Sequence, residues 1–345
     1  MYKKIFMGIA AVAALTLVSC SSDDLNSLSD NSSKNEAISF DGYWGRSAVS
    51  VNGSRGSVID KAEDLQKVSE GFGVFGNYSS TDGEAFGSNL FENQKVTYST
   101  EETKWTYSPK KYWSPQGHID FLAYAPYVDG TTLKNTSCIE FTVADNAADQ
   151  KDLLWANAAN QTKANNSGIG KKVNFKFAHA LSRLGYTVKT DLTSSSDVTI
   201  TLKKITLAGS KDGIQKAFYP KGTINLSTGV WTPSTTDEKQ NFVWLSTDKT
   251  LDSDTKNSDT EYLFVIPQNF STTEENADAL FVIVEYTIKY GDEKPVTYTV
   301  SSQLKQNFEQ GKAYSINLTL GLTPIEFDAD VTTWKNTEQK DVYWN

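Results

Sequence analysis

The chain has 345 residues, with 42 acidic and 33 basic side chains and a formal net charge of −9. Binding to nucleic acid requires clustered lysine and arginine, whereas this chain has a net negative charge, so we expect no nucleic-acid partner. With two histidines, no Gly-x-Ser-x-Gly elbow and no phosphate-binding glycine loop, we expect neither an enzyme nor a cofactor or metal site.

The first 19 residues have the layout of a secretory signal: Lys3 and Lys4 precede an apolar run that ends at Val18. The run is shorter than the ~20 apolar residues that a membrane-spanning helix needs. Leu17-Val18-Ser19-Cys20 resembles the lipobox of bacterial lipoproteins. That resemblance implies removal of residues 1–19 and a covalent lipid on Cys20; the alternative is an ordinary signal peptide with an incidental cysteine.

Residues 20–36 are rich in serine, aspartate and asparagine, and they contain too little apolar surface to offset the entropy of ordering. We therefore predict a disordered tether between the lipid and the folded part. Within it, residues 21–24 resemble the acidic patch of lipoproteins exported to the cell surface in Bacteroidota. The resemblance implies an outer-membrane protein exposed at the surface, whereas a solvated spacer is the alternative.

Most apolar stretches after residue 70 alternate with period two, which predicts a chain built mainly of strands. The alternation changes parity between Phe177 and Leu184, and again between Leu202 and Ile205. Such shifts are expected where a strand bulges, bends or passes into another sheet.

A long hairpin is predicted from Leu280 to Val300, with turn residues at 291–294. Alternation over residues 314–320 and 325–331 predicts two further strands. One helix is predicted at Ser57–Glu70, where apolar residues recur at helical spacing before Gly71.

Residues 37–345 exceed the usual size of one hydrophobic core, which favours two domains. The turn-rich stretch at 165–170 is the best boundary. We therefore expect an N-terminal β-sandwich domain at 37–168 and a C-terminal one at 169–345, both antiparallel, in an all-β protein.

Many short motifs, in their order along the chain, resemble the fimbrillin family, the lipoprotein-derived pilins of Bacteroidota type V pili, including its Mfa-like and FimA-like members. The resemblance covers most of the chain and implies two transthyretin-like β-sandwiches. The residues that carry it are 37–40 with Arg46, 71–75, 93–98, 105–109, 112–115, 119–126, 152–156, 177–184, 264–268, 311–314 and 325–327 with Trp334.

The resemblance also implies a function: a structural subunit of a fimbrium that supports cell adhesion. In such a subunit a trypsin-like protease cuts the outer-membrane precursor, the first strand leaves, and a strand of the next pilin subunit takes its place. Ile38 and Phe40 belong to the expected first strand. We expect the cut after Arg46, with Arg55 as second choice and no cleavage as the alternative.

By the same resemblance the C-terminal tail donates the incoming strand, and Val342 and Trp344 have the spacing of two adjacent pockets. Alternatively, residues 325–334 belong to the domain's own sheet. A different function is left open: a surface lipoprotein that does not polymerise and binds glycans or host proteins through exposed aromatic side chains.

Overall fold

The computed structural model describes residues 37–44, 59, 62–81, 86–87, 89–166, 171–190, 197–245, 248–251, 262–271, 273, 278–320 and 326–333. The all-β class is confirmed, since strands dominate these residues. The helix expected at Ser57–Glu70 spans Ala62–Lys67, and its predicted end was wrong, because residues 68–70 are not helical. None of the helices in the described ranges is long and apolar enough to cross a membrane.

In chain order the elements are β1 (Phe40–Trp44), α1 (Ala62–Lys67), β2 (Phe72–Ser79), β3 (Phe91–Ser99), β4 (Lys104–Thr106), β5 (His118–Ala125), β6 (Cys138–Thr142), a 3₁₀ turn (Ala147–Asp149), β7 (Leu154–Gln161), α2 (Lys163–Asn166), β8 (Val173–His179), β9 (Ser182–Thr190), β10 (Val198–Ala208), β11 (Lys221–Asn225), β12 (Trp231–Pro233), β13 (Phe242–Leu245), β14 (Lys249–Leu251), β15 (Leu263–Val265), β16 (Phe281–Tyr290), β17 (Val296–Gln303), β18 (Lys312–Leu320) and β19 (Glu326–Thr333).

The N-terminal part of the chain forms a seven-stranded sheet in the order β1-β8-β7-β5-β2-β3-β4. Its pairs are antiparallel except at one edge, where β1 runs parallel to β8. A parallel pair needs a long connection, and here most of the domain lies between the two strands. The sheet also takes β8 from beyond residue 168, where the sequence places the division between domains.

The other described strands form three further sheets. One has β13, β10, β16 and β17, with β14 also on β10; a second has β15, β9, β18 and β19; the third has β12, β11 and β6. The expectation that both domains are wholly antiparallel was wrong, since β9 and β18 run parallel, as β1 and β8 do. The predicted hairpin is confirmed as β16 and β17, whose pairing runs from Phe281 with Gln303 to Ile288 with Val296. Both parity shifts are confirmed, since β10 bulges between Leu202 and Lys204 and the chain changes sheets between β8 and β9.

The buried hydrophobic side chains among the described residues form two clusters, and β5 contributes to both. Ile119, Phe121 and Ala123 belong to the cluster of the N-terminal sheet. Leu122 and Tyr124, on the opposite face of the same strand, belong to the cluster of the other three sheets. The N-terminal sheet is therefore buried on both faces here, which explains why β5 is an almost continuous apolar run.

Candidate functional site

Residues 37–44, which we call the first-strand segment, contact two separate stretches of backbone. The second half of the segment, β1, pairs with β8 along its whole length. The first half meets the chain after β4: the Ile38 amide donates to the Lys111 carbonyl oxygen at 2.8 Å, and Ala37 forms a bridge with Tyr112. The segment thus supplies hydrogen bonds to both stretches, and its departure would open both.

Alternate residues of the first-strand segment lie in the core. Ile38 and Phe40 each expose 1% of their surface, Gly42 is buried, and Ala37 is exposed. This is the pattern of a strand with one buried face. The Phe40 ring is surrounded by four aromatic rings, whose centroids lie 5.5 Å (Phe91), 5.4 Å (Tyr107), 5.5 Å (Phe121) and 5.6 Å (Phe175) from its own.

Gly42 lies where β1 faces Leu65 of α1. A Cβ placed on Gly42 would lie 3.1 Å from Leu65 Cδ2 and 3.2 Å from Phe177 Cε2. These distances are shorter than ordinary carbon contacts of about 3.5–4.0 Å. We call the groove that holds the segment the first-strand groove; it is lined by Leu65, Phe177 and the rings around Phe40. It accepts large side chains at positions 38 and 40 and has no room for one at position 42.

The hydroxyl of Tyr107 holds the first-strand segment from the side opposite to β8. It donates to the Ile38 carbonyl oxygen at 2.7 Å and accepts from the Lys111 amide at 3.3 Å. Burial raises the pKa of Tyr107 to about 12, because the phenolate would lose its hydration. The hydroxyl therefore keeps its proton and remains a donor over the physiological pH range.

The chain is fixed again at Ile59, which exposes 1% of its surface. The Ile59 amide donates to Asp152 Oδ2 at 3.4 Å, and the same carboxylate oxygen lies 2.9 Å from His179 Nδ1. Asp152 and His179 are both buried. Arg46 and Arg55 thus lie in the stretch between two anchored points, β1 and Ile59.

The other predicted site residues fall outside the described residues. These are Cys20, the two arginines Arg46 and Arg55, and the tail residues Val342 and Trp344. Just before the tail, β19 pairs antiparallel with β18 from Glu326 to Thr333. The larger part of residues 325–334 therefore belongs to the domain's own sheet, which was the alternative prediction for this stretch.

An aromatic cleft of about 450 Å³ lies beside the start of the first-strand segment. Tyr112 is 55% exposed there, whereas Trp113 is 2% exposed and is part of the core. Tyr112 can therefore stack against a ligand and Trp113 cannot. The cleft is lined by Tyr78, Asn89, Leu90, Tyr112, Trp113, Ser114 and Ile119.

Several residues of the groove were not identified from the sequence. Tyr107 falls within motif 105–109 of the family resemblance and Leu65 is an ordinary member of a helix pattern. No local signal links either residue to Ile38 or Gly42, which are distant along the chain. Asp152 and His179 could have been singled out from the sequence, although only weakly, since both fall within the motifs of the family resemblance. No feature of the sequence predicted the contact of Asp152 with Ile59.

The family model described as fimbrillin-like matches residues 61–334, a range that begins after the first-strand segment. A solved fimbrial protein from Bacteroides vulgatus is 22% identical, with a TM-score of 0.68, and the match covers 87% of this chain and 100% of that one. A candidate cell adhesion protein from Bacteroides ovatus is 16% identical, with a TM-score of 0.51, over 89% of this chain and 100% of that one. Both likenesses concern the fold. No curated protein matches the chain.

Proposed function

The chain belongs to the fimbrillin-like family, and from that premise we propose that it is a structural subunit of a cell-surface fimbrium that supports adhesion. The precursor reaches the outer membrane as a lipoprotein held by the lipid on Cys20. A trypsin-like protease cuts after Arg46, or after Arg55 as second choice. The lipid, the tether and β1 are then no longer covalently joined to the rest of the subunit.

The observation that carries this proposal is the double attachment of the first-strand segment. The segment is bonded to β8 on one side and to Lys111 and Tyr107 on the other, with Ile38 and Phe40 in the core. A strand from a neighbouring subunit can supply the same two things, backbone hydrogen bonds and alternate apolar side chains. The first-strand groove is therefore suited to strand exchange between subunits.

An empty groove would be unstable. Truncating a buried phenylalanine to alanine costs about 3–5 kcal/mol, a large share of the 5–15 kcal/mol by which a domain is typically stable. Loss of the whole segment would remove Phe40, Ile38 and the backbone bonds together. Cleavage alone therefore leaves β1 in place, and the incoming strand must displace it. The C-terminal tail with Val342 and Trp344 is our candidate donor.

A second function is favoured by the aromatic cleft. Tyr112 is exposed at its rim, and an exposed ring beside polar side chains such as Asn89 and Ser114 is suited to stacking on a sugar. A surface lipoprotein that binds glycans or host proteins without polymerising would use this cleft and would keep β1 permanently.

The arginine substitutions test the proposal in cells that make the fimbrium. We expect Arg46→Ala to leave unpolymerised lipoprotein in the outer membrane, seen as loss of the SDS-resistant ladder on gels of unheated samples. Arg46→Lys is the matched control, because a trypsin-like protease also cuts after lysine; it should keep the ladder. A normal ladder from Arg46→Ala that disappears only with Arg55→Ala moves the cut to Arg55. A ladder that survives both substitutions contradicts processing at either site.

A further inference from the structure

β17 is a long edge strand with an exposed surface. It pairs with β16 on one side, and the other side has no strand partner among the described residues. Its first four residues are exposed and the rest are half-buried. Val296 is 50% exposed and Tyr298 is 36% exposed. Its sequence, VTYTVSSQ, has high β-propensity and contains neither a charge nor a proline.

The other edge strands in the described part of the chain are protected. β4, β14 and β15 have three residues each, β13 has four, and β12 has three and contains Pro233. β1 and β6 have five residues each, and each carries an acidic residue, Asp41 in β1 and Glu140 in β6. β19 is as long as β17 but carries Glu326, Asp328 and Asp330. Short length, proline and charge all discourage pairing with another chain. β17 lacks all three, which is typical of a strand that pairs with a partner.

The apolar residues of β17 share the face that points towards the core. The Tyr298 ring stacks on the buried Tyr286 ring, with centroids 5.5 Å apart, and Val300 packs against the core cluster. Because side chains alternate along a strand, Val296 lies on that same face. The sheet therefore extends beyond the layer that covers it and leaves a row of apolar side chains partly exposed.

We propose that β17 of a second copy of this chain pairs antiparallel with β17 across a two-fold axis at Tyr298. In this register Tyr298 lies opposite the same residue of the second copy, and Val296 lies opposite Val300. Aromatic and β-branched side chains are the pairs that stabilise antiparallel strands best. A two-fold interface of this kind is self-complementary and closes as a dimer.

Charge at the two ends of β17 supports a second copy as the occupant. The turn before β17 carries Asp292, Glu293 and Lys294, a net negative charge, and Lys305 follows the strand; all are exposed. Antiparallel pairing brings the acidic turn of one copy near Lys305 of the other, at both ends of the interface. A parallel arrangement would place like ends together.

This pairing does not depend on the exchange of β1. β17 belongs to the sheet with β10, β13 and β16, whereas β1 belongs to the N-terminal sheet. The two surfaces can be used at the same time, so β17 offers a lateral contact between subunits or between neighbouring fimbriae. It can be tested on the uncut chain, and its failure leaves the proposal about Arg46 untouched.

A charge exchange at Tyr298 tests the two-fold contact. In the full-length chain, purified in detergent and followed by analytical ultracentrifugation, the unmodified protein should form dimers. Tyr298→Lys alone and Tyr298→Glu alone should each weaken dimerisation by about tenfold or more, because like charges then face each other. An equimolar mixture of the two variants should restore a dimer. Val243→Lys is the matched control, since Val243 is 47% exposed on β13, at the opposite edge of the same sheet.

The thermal unfolding midpoints of both Tyr298 variants are measured beside these experiments, to establish that they are folded. An unmodified chain that stays monomeric at all concentrations overturns the proposal. So does a mixture of folded variants that fails to dimerise, because that result means that the occupant of the β17 edge is not a second β17.

Discussion

The ring of Phe40 stacks on the ring of Phe175, with centroids 5.6 Å apart and planes 25° from parallel. Phe40 lies on β1 and Phe175 on the neighbouring β8, so an edge strand places an aromatic ring in the N-terminal core. The strand that we propose to be exchanged is therefore part of the domain's interior.

Phe40→Ala should lower the free energy of unfolding by about 3–5 kcal/mol, because it removes a buried ring and leaves a cavity among four aromatic side chains. Urea denaturation of the full-length chain measures the change. Asp41→Ala is the control on the same strand: its ion pair with Lys172, at 3.4 Å, is partly exposed and should contribute about 1 kcal/mol or less. Equal losses for the two variants would mean that β1 lies on the surface.

Gly42→Val should also destabilise the chain, by about 1–3 kcal/mol, because the new side chain meets Leu65 and Phe177. Leu65→Ala makes room at the same place. In a double-mutant cycle we expect the combined variant to lose less stability than the sum of the two single losses. Strict additivity would contradict the close contact between β1 and α1.

The Tyr107 hydroxyl predicts a specific dependence on pH. Its pKa is raised to about 12 in the folded chain, compared with about 10 when unfolded. The folded state therefore keeps a proton that the unfolded state releases, so this contribution is full below about pH 10 and is lost as the pH rises to about 12. Tyr107→Phe should remove about 1–3 kcal/mol at neutral pH, since Ile38 loses a donor.

The check is a comparison of the unfolding free energies of Tyr107→Phe and the unmodified chain from pH 8 to pH 12. The gap between the two should narrow above pH 10. A constant gap would mean that burial does not raise the pKa of Tyr107 in the folded chain.

Much of the strand content was predictable, because alternation records which face of a strand is buried. Leu202 and Ile205 fall on either side of a bulge, and the change in parity between them predicts its position. The β16–β17 hairpin was predictable for a related reason: its partners are adjacent along the chain and its turn residues are distinctive. Such features are local.

Contacts between distant residues were not predictable from the alternation. The parallel pairing of β1 with β8 joins Phe40 to Val173, and neither residue carries a sign of its partner. For the same reason the sequence gives no sign that the seven-stranded sheet includes β8, which lies beyond the predicted boundary at residue 168. The six-residue α1 is too short for helical spacing to fix its ends.

Asp152→Ala should loosen the anchor at Ile59. The substitution removes the acceptor that the Ile59 amide and His179 Nδ1 share, at a cost of about 1–3 kcal/mol for each group affected. Hydrogen exchange of the Ile59 amide should accelerate along with the loss of stability. Glu70→Gln, which alters the half-exposed pair with Lys151 at 3.0 Å, is the control and should leave that amide unchanged. Unchanged exchange in Asp152→Ala would contradict the anchor.

The most direct test of the central claim, that the chain polymerises after losing its first strand, is the N-terminus of the polymerised protein. Fimbriae sheared from cells are separated from membranes, and the mass and the N-terminal peptide of this chain are determined by mass spectrometry. We predict a chain that begins at Ser47, or at Gly56 if Arg55 is the site, without any peptide containing Ile38 or Phe40. A chain that is polymerised yet begins at lipidated Cys20 and retains Phe40 would contradict the account.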